Sequence, residues 1–257
     1  MGLDSSDSLS LDLDTGSIIS SRNWLEDQLG VNSSDLTFKE LEKVRGKVGQ
    51  SKAIYDHSKR YHKVHDAFQS EYTENSPIIS TKNCNGAVYI VRNPLDISIS
   101  LSHFFNWDLA KCVEFILDTK AILGNQYCGS TQVNIFLGSW DFHIKSWTEQ
   151  NKIPILLIRY EDLIRDPIKN FIKLSKFLNI SNNQDQIINS VKNTSFKNLQ
   201  TQELKGGGFL EKPGECKLFF RAGKVGEGKK KLNKKQIDSI KSKFEKTLEK
   251  LNYIDLF

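Results

Sequence analysis

Two short, unbroken apolar runs stand out along the chain. They are Ala87-Val88-Tyr89-Ile90-Val91 and Ile153-Pro154-Ile155-Leu156-Leu157-Ile158. The first follows Asn85-Gly86 and stops before Asn93-Pro94; the second is closed by Arg159-Tyr160-Glu161-Asp162. Apolar runs of this length, rich in β-branched residues and bounded by turn residues, predict buried parallel strands. Elsewhere the apolar positions recur at helical spacing. Pro94 suits a first helical position, so a helix is expected after it. Between the runs two helices are predicted, the second with Phe136, Trp140, Ile144 and Trp147 along one face. Asp166-Pro167 opens another helix, which turns Phe171, Leu174, Phe177 and Leu178 inward. A final helix carries Ile237, Ile240, Phe244, Leu248 and Leu251 on one stripe.

Upstream, Ser17 to Leu29 reads as a helix with Ile18, Ile19, Trp24 and Leu25 on its apolar side. Asn32-Ser33-Ser34-Asp35 then punctuates the chain. Leu36 to Val48 reads as a second helix, with Thr37 and Glu40 in capping-box spacing. Apolar strands separated by helices predict an α/β fold, a parallel sheet flanked by helices. Residues 17–257 are expected to form one domain behind a flexible acidic lead at 1–16. In such sheets ligands sit beyond the carboxyl ends of the strands. Both runs end there in polar residues, Arg92-Asn93 and Arg159-Tyr160-Glu161-Asp162.

Composition adds little to this picture but removes several classes. Hydrophobic residues are 38% of the 257, enough for one sizeable core without covalent staples. No apolar run is long enough to span a membrane. Residues 1–14 hold four aspartates and no lysine or arginine, unlike a secretory signal, so the expected location is cytoplasmic. Cys84, Cys112, Cys128 and Cys216 form no Cys-x-x-Cys pair, and reduced, mostly buried thiols are expected; no metal is implied.

The charge is uneven. From Arg221 onward there are 11 Lys+Arg and 5 Asp+Glu, a net of +6 against +5 for the whole chain. That excess points to an anionic ligand or to a solvated helix face. A nucleic-acid-binding tail is the alternative. It calls for stacking aromatics among the basic residues, and from Lys224 onward there are only Phe244, Tyr253 and Phe257.

Three clusters carry chemistry. Arg92 at a strand tip offers a forked set of donors to an oxyanion, and Ser100, eight residues on, adds a hydroxyl. If Tyr61 to Asp66 is a short strand, Lys63 and His65 point to one side. A lysine stabilises departing negative charge, and a neutral histidine takes a proton from a hydroxyl. Gly223, Gly226 and Gly228, flanked by Arg221 and Lys224, can wrap backbone N–H groups around an anion. Gly223, Gly228 and Lys229 fall in Gly-x-x-x-x-Gly-Lys spacing. Lys230 stands where a nucleoside-triphosphate loop has its metal-binding hydroxyl, which excludes that loop.

In this order the pieces resemble the cytosolic-type sulfotransferase family. Val91-Arg92-Asn93-Pro94-Leu95-Asp96-Ile97-Ser98-Ile99-Ser100 looks like its element for the 3′-phosphate of 3′-phosphoadenosine 5′-phosphosulfate (PAPS), with Arg92 and Ser100 on the two phosphate positions. Lys63-Val64-His65 falls on its Lys-x-His segment. The resemblance makes His65 the base and Lys63 the residue that stabilises charge on the leaving phosphate. Arg159-Tyr160-Glu161-Asp162-Leu163 and Thr194-Ser195-Phe196 resemble its adenine-side elements, implying contacts from Tyr160, Thr194 and Phe196. Arg221-Ala222-Gly223-Lys224-Val225-Gly226 resembles the loop that closes over the 3′-phosphate, implying a grip from Arg221 and the Gly223 backbone.

The resemblance covers about residues 17 to 252 and implies a sulfotransferase fold. The implied reaction moves a sulfuryl group from PAPS to a hydroxyl or amine of a small molecule, leaving PAP. The acceptor pocket is left open, with Phe104, Phe105, Trp107 and Gly206-Gly207-Gly208 either lining it or packing. Ala222 and Gly228 replace a basic residue and a tryptophan of the family pattern. The family's opening strand and phosphosulfate-binding loop have no good counterpart before Lys63, so the fold is expected to be N-terminally incomplete. Two consequences are expected from that. Nucleotides would be told apart by their 3′ more than their 5′ end, and transfer would be slow or absent. A catalytically inactive relative that binds PAP weakly or not at all is the other reading.

Overall fold

A computed structural model of the chain describes residues 19–51, 61–82, 84–124, 132–180, 183–206 and 216–257. The expected acidic lead, Cys128 and the 207–208 glycines lie outside them. The two apolar runs form strands β1 (Ala87–Val91) and β4 (Ile155–Arg159), paired parallel from Ala87↔Ile155 to Val91↔Arg159. Ile153 and Pro154 precede β4. Proline has no N–H to give a ladder, and its carbonyl instead accepts from Ala87. Between the strands lie α3 (Pro94–Phe105), α4 (Leu109–Leu117) and α5 (Trp140–Thr148). A small antiparallel ribbon of β2 (Ile122–Leu123) and β3 (Ile135–Phe136) precedes α5.

The ribbon corrects one sequence expectation. Phe136 sits at helical spacing from Trp140 but belongs to β3. Gly138 at φ +65° and the Ser139 N-cap, whose Oγ accepts from Phe142 N–H, start α5 only at Trp140. Three described helices therefore separate the strands where two were expected.

After β4 come α6 (Tyr160–Arg165), α7 (Pro167–Leu178), α8 (Gln184–Asn193), α9 (Phe196–Lys205), α10 (Glu227–Lys231) and α11 (Lys234–Lys250). The main core joins Val91, Leu95, Ile99, Ile116, Trp140 and Ile144 to the α11 stripe of Ile240, Phe244 and Leu248. Those three α11 residues are at most 1% exposed, each contributing about 1.5–3 kcal/mol by burial. On the other side of the sheet Phe177 of α7 reaches Gly86, and Ile90 stays exposed. None of the described helices is long and apolar enough to cross a membrane. Cys112 is a buried free thiol and Cys84 a half-buried one, and Cys216 is buried with its Sγ 3.4 Å from the Leu218 carbonyl.

Upstream, α1 (Arg22–Leu29) starts later than its apolar residues predicted, and α2 (Phe38–Ser51) begins at the expected capping box. There Thr37 N–H donates to Glu40 at 2.9 Å and Glu40 N–H to Thr37 Oγ1 at 3.4 Å. Inside α2, Arg45 is fully buried between Glu42 and Asp66, the latter ion pair being 2.8 Å long. Asp66 belongs to the segment that carries Lys63 and His65, so this triad ties that segment to α2.

The triad makes stability depend on pH. Burial pushes the Glu42 carboxyl from 4.5 up to about 7, with Arg45 opposing the shift and Asp66 adding to it. Folded Glu42 then keeps a proton that the unfolded chain has released. Its contribution to stability is fully present below the unfolded value and is lost as pH rises through about 7. Glu42→Gln, which mimics the protonated acid, is expected to lose less stability than the parent between pH 6 and pH 8. Urea midpoints at the two pH values test this, and parallel losses in both proteins would contradict it.

Candidate functional site

The parallel register sets the geometry. Because Val91 pairs with Arg159, the next residues, Arg92 and Tyr160, leave the sheet side by side at its carboxyl end. The Arg92 guanidinium lies over the Tyr160 ring, 4.3 Å from its centroid. Burial pushes the Tyr160 phenol up, against the pull of Arg92.

The main chain around Arg92 is fixed on both sides. Its carbonyl accepts from Trp140 Nε1 at 3.1 Å, and the following Asn93 N–H donates to Glu161 at 2.9 Å. The other Glu161 oxygen accepts from Tyr253 Oη at 2.6 Å, which anchors the arrangement to the C-terminal region. Asn93 caps α3 by accepting from Leu95 N–H at 2.9 Å. Arg92 Nη2 donates to the Lys224 carbonyl at 3.0 Å, while Nε is buried with no partner among the described residues. A guanidinium held rigidly with an orphaned buried donor suits an incoming oxyanion.

The glycine-rich segment packs beside Arg92, but its amides are used differently from the sequence expectation. Gly226 and Gly228 donate their N–H groups to the two oxygens of buried Asp96, at 2.8 and 2.7 Å. Their anion is a carboxylate of α3, so these amides hold the loop to the helix and not to a ligand. Gly228 lies against the Leu95 backbone, where any Cβ would collide. Gly223, at φ +58°, has the Phe196 ring where a Cβ would stand, 2.5 Å away. Phe196 and Gly223 are thus in direct contact.

Arg221 pairs with Glu227, which Lys231 also approaches at 3.5 Å. Ser100 is exposed on α3, one turn beyond Asp96 and so on the face that carries the loop. His103, three residues further, is pushed below its usual range by burial and then by Arg221 and Lys231. Arg221, Lys231 and their shared partner Glu227 therefore all stand near His103 at that face. Thr194 ends α8 with its hydroxyl donating to the Ser190 carbonyl at 2.7 Å, two residues before Phe196.

The Lys63–His65 segment is not a strand. Residues 61–66 have no ladder partner among the described residues, so alternation does not set their side-chain directions. Side chains of α5 hold this segment and the residues just after it. His143 Nε2 lies 3.0 Å from the His65 carbonyl, Trp147 Nε1 2.9 Å from that of Asp66, and Ser146 Oγ accepts from Phe68 N–H at 3.1 Å. His65 itself is exposed and Lys63 half-buried. One helix thus grips both halves of the predicted site, Arg92 through Trp140 and His65 through His143. These residues are three apart, about 4.5 Å along the axis.

The aromatic group near α3 packs on itself. Phe105 stacks on Trp107 at 4.8 Å, and Phe104 meets Phe219 edge-on at 6.0 Å. Sequence reading missed Asp96, Glu161 and His143. Asp96 carried a signal as an acid within the apolar opening of α3, and Glu161 as part of the polar end of the second run; His143 carried none.

Comparison with known proteins gives this arrangement its context. The sulfotransferase domain model matches residues 24–252. Cytosolic sulfotransferase 14 of Arabidopsis thaliana is 28% identical over 60% of this chain and 45% of its own length. Flavonol 3-sulfotransferase of Flaveria bidentis is 30% identical over 62% of this chain and 53% of its own. The chain spans about half the length of these relatives. Mouse sulfotransferase SULT7A1, solved in complex with PAP, superposes with a TM-score of 0.56 at 22% identity, over 77% of this chain and 69% of that one. Retinol dehydratase, solved with androsterone and PAP, gives 0.54 at 17% identity over 78% and 56% of the two chains. The parallel strands, the helices around them and the match over nearly the whole described chain lead to one assignment: the chain belongs to the sulfotransferase-domain family.

Proposed function

We propose that the protein transfers a sulfuryl group from PAPS to a hydroxyl or amine of a small-molecule acceptor in the cytoplasm, releasing PAP. The observation that carries this reading is Arg92: stacked on Tyr160, fixed through both neighbouring peptide groups, and left with a buried unpaired Nε. A 3′-phosphate would take that donor, with Ser100 and Arg221 completing the grip and Gly223 offering its backbone. Tyr160, Thr194 and Phe196 would frame the adenine. The PAP held by the structural neighbours supports this choice of nucleotide.

In the transfer, a bond forms between the acceptor oxygen or nitrogen and sulfur. The bond from sulfur to the bridging oxygen of PAPS breaks, and its electron pair leaves with PAP. His65 takes the acceptor's proton, and Lys63 stabilises the charge growing on the departing phosphate. As in phosphoryl transfer, most of the rate would come from positioning and electrostatics.

The test is PAP formation from PAPS with a panel of small phenols, alcohols and amines. Slow but acceptor-dependent release of PAP is expected. Release no faster than in buffer, across the panel, would overturn the reading.

A further inference from the structure

Two polar side chains near the site, Tyr89 and His143, have no part in that transfer. Tyr89 is on β1, three residues before Arg92; His143 is on α5. The Tyr89 hydroxyl lies 2.7 Å from His143 Nδ1, and His143 Nε2 lies 3.0 Å from the His65 carbonyl oxygen. A carbonyl only accepts, so Nε2 carries the hydrogen. In the neutral ring Nδ1 is then the acceptor, and Tyr89 must donate to it. The order Tyr89 O–H to Nδ1, Nε2–H to His65 C=O has a single sense.

The surroundings keep both groups in these states. Burial pushes the Tyr89 phenol far up, so it stays a donor. Burial also pushes the His143 imidazole down, against the His65 carbonyl and Asp66 and together with the His65 ring. The rings pack as well as bond, with centroids 5.7 Å apart for Tyr89–His143 and 6.3 Å for Tyr89–Trp147.

We propose that His143, locked by Tyr89 as the Nε2–H tautomer, is the positioning residue that fixes the His65 main chain and so aims its imidazole at the acceptor. The inference rests on His65 being the base and goes beyond that role. It gives an exposed histidine, on a segment without strand pairing, a fixed main chain. It also ties that main chain to β1, the strand that ends in Arg92, so the base segment and the nucleotide strand move as one body.

The experiment combines histidine NMR with kinetics on the 257-residue chain. Long-range ¹H–¹⁵N correlation should find His143 protonated at Nε2 and bare at Nδ1, a pattern that weakens in Tyr89→Phe; this readout needs no turnover. In His143→Phe, kcat should fall about 10- to 100-fold while the Kd for PAP holds, as for a small displacement of a reacting group. His143→Gln, which keeps a side-chain N–H donor, should recover most of the rate. An Nδ1–H tautomer, or a fully active His143→Phe beside an inactive His65→Ala, would overturn this inference alone. An undiminished rate in His65→Ala would overturn the reading beneath it.

Discussion

Arg92→Ala is expected to weaken PAP binding by about 2–5 kcal/mol, roughly 30- to 4,000-fold in Kd, as for loss of a hydrogen-bonded charge partner. The size follows from how the side chain is held. The carbonyl of Arg92 and the N–H of Asn93 are fixed by Trp140 and Glu161, and the guanidinium is stacked on Tyr160, so little ordering remains to be done on binding. Arg92→Lys keeps the charge but loses the fork and the stacking, and should fall between the parent and alanine. Calorimetry on folded variants reads both. Parent-like PAP affinity in Arg92→Ala would remove the phosphate assignment.

His65→Ala is expected to lower turnover by about 10²–10⁴-fold, the contribution of a positioned general base, while PAP affinity stays within about twofold. The separation would arise because the His65 side chain is proposed to face the acceptor, whereas the proposed phosphate grip is the Arg92 guanidinium, bonded to the 221–226 loop at Lys224. Rate and affinity falling together would place His65 at the nucleotide. A full rate would move the search to His103, beside Arg221, and then to His62.

The sequence revealed what repeats along the chain and hid what forms between distant segments. Both strands were legible because parallel strands need continuous apolar runs, and Arg92 and Tyr160 followed from where those runs stop. The Thr37–Glu40 box was legible because its two bonds lie within four residues. The tethering of His65 was not, since its partners lie 78 residues away and impose no local period. Phe136 misled for a related reason: helical spacing cannot show that Gly138 adopts a positive φ and ends the continuity. The glycine segment's amides were all read as open to an anion, but those of Gly226 and Gly228 are taken within the chain. Asp96, 130 residues earlier, takes them.

If the carboxyl end of this sheet binds a nucleotide through its 3′-phosphate, removing that phosphate alone should cost affinity. Parallel calorimetric titrations of the 257-residue chain with PAP and with 5′-AMP, which differ only in that group, measure the cost. One PAP per chain is expected, with PAPS bound at similar affinity and 5′-AMP at least about tenfold more weakly, a difference of about 1.4 kcal/mol or more. Equal heats and affinities for PAP and 5′-AMP, or no heat from either, would contradict it.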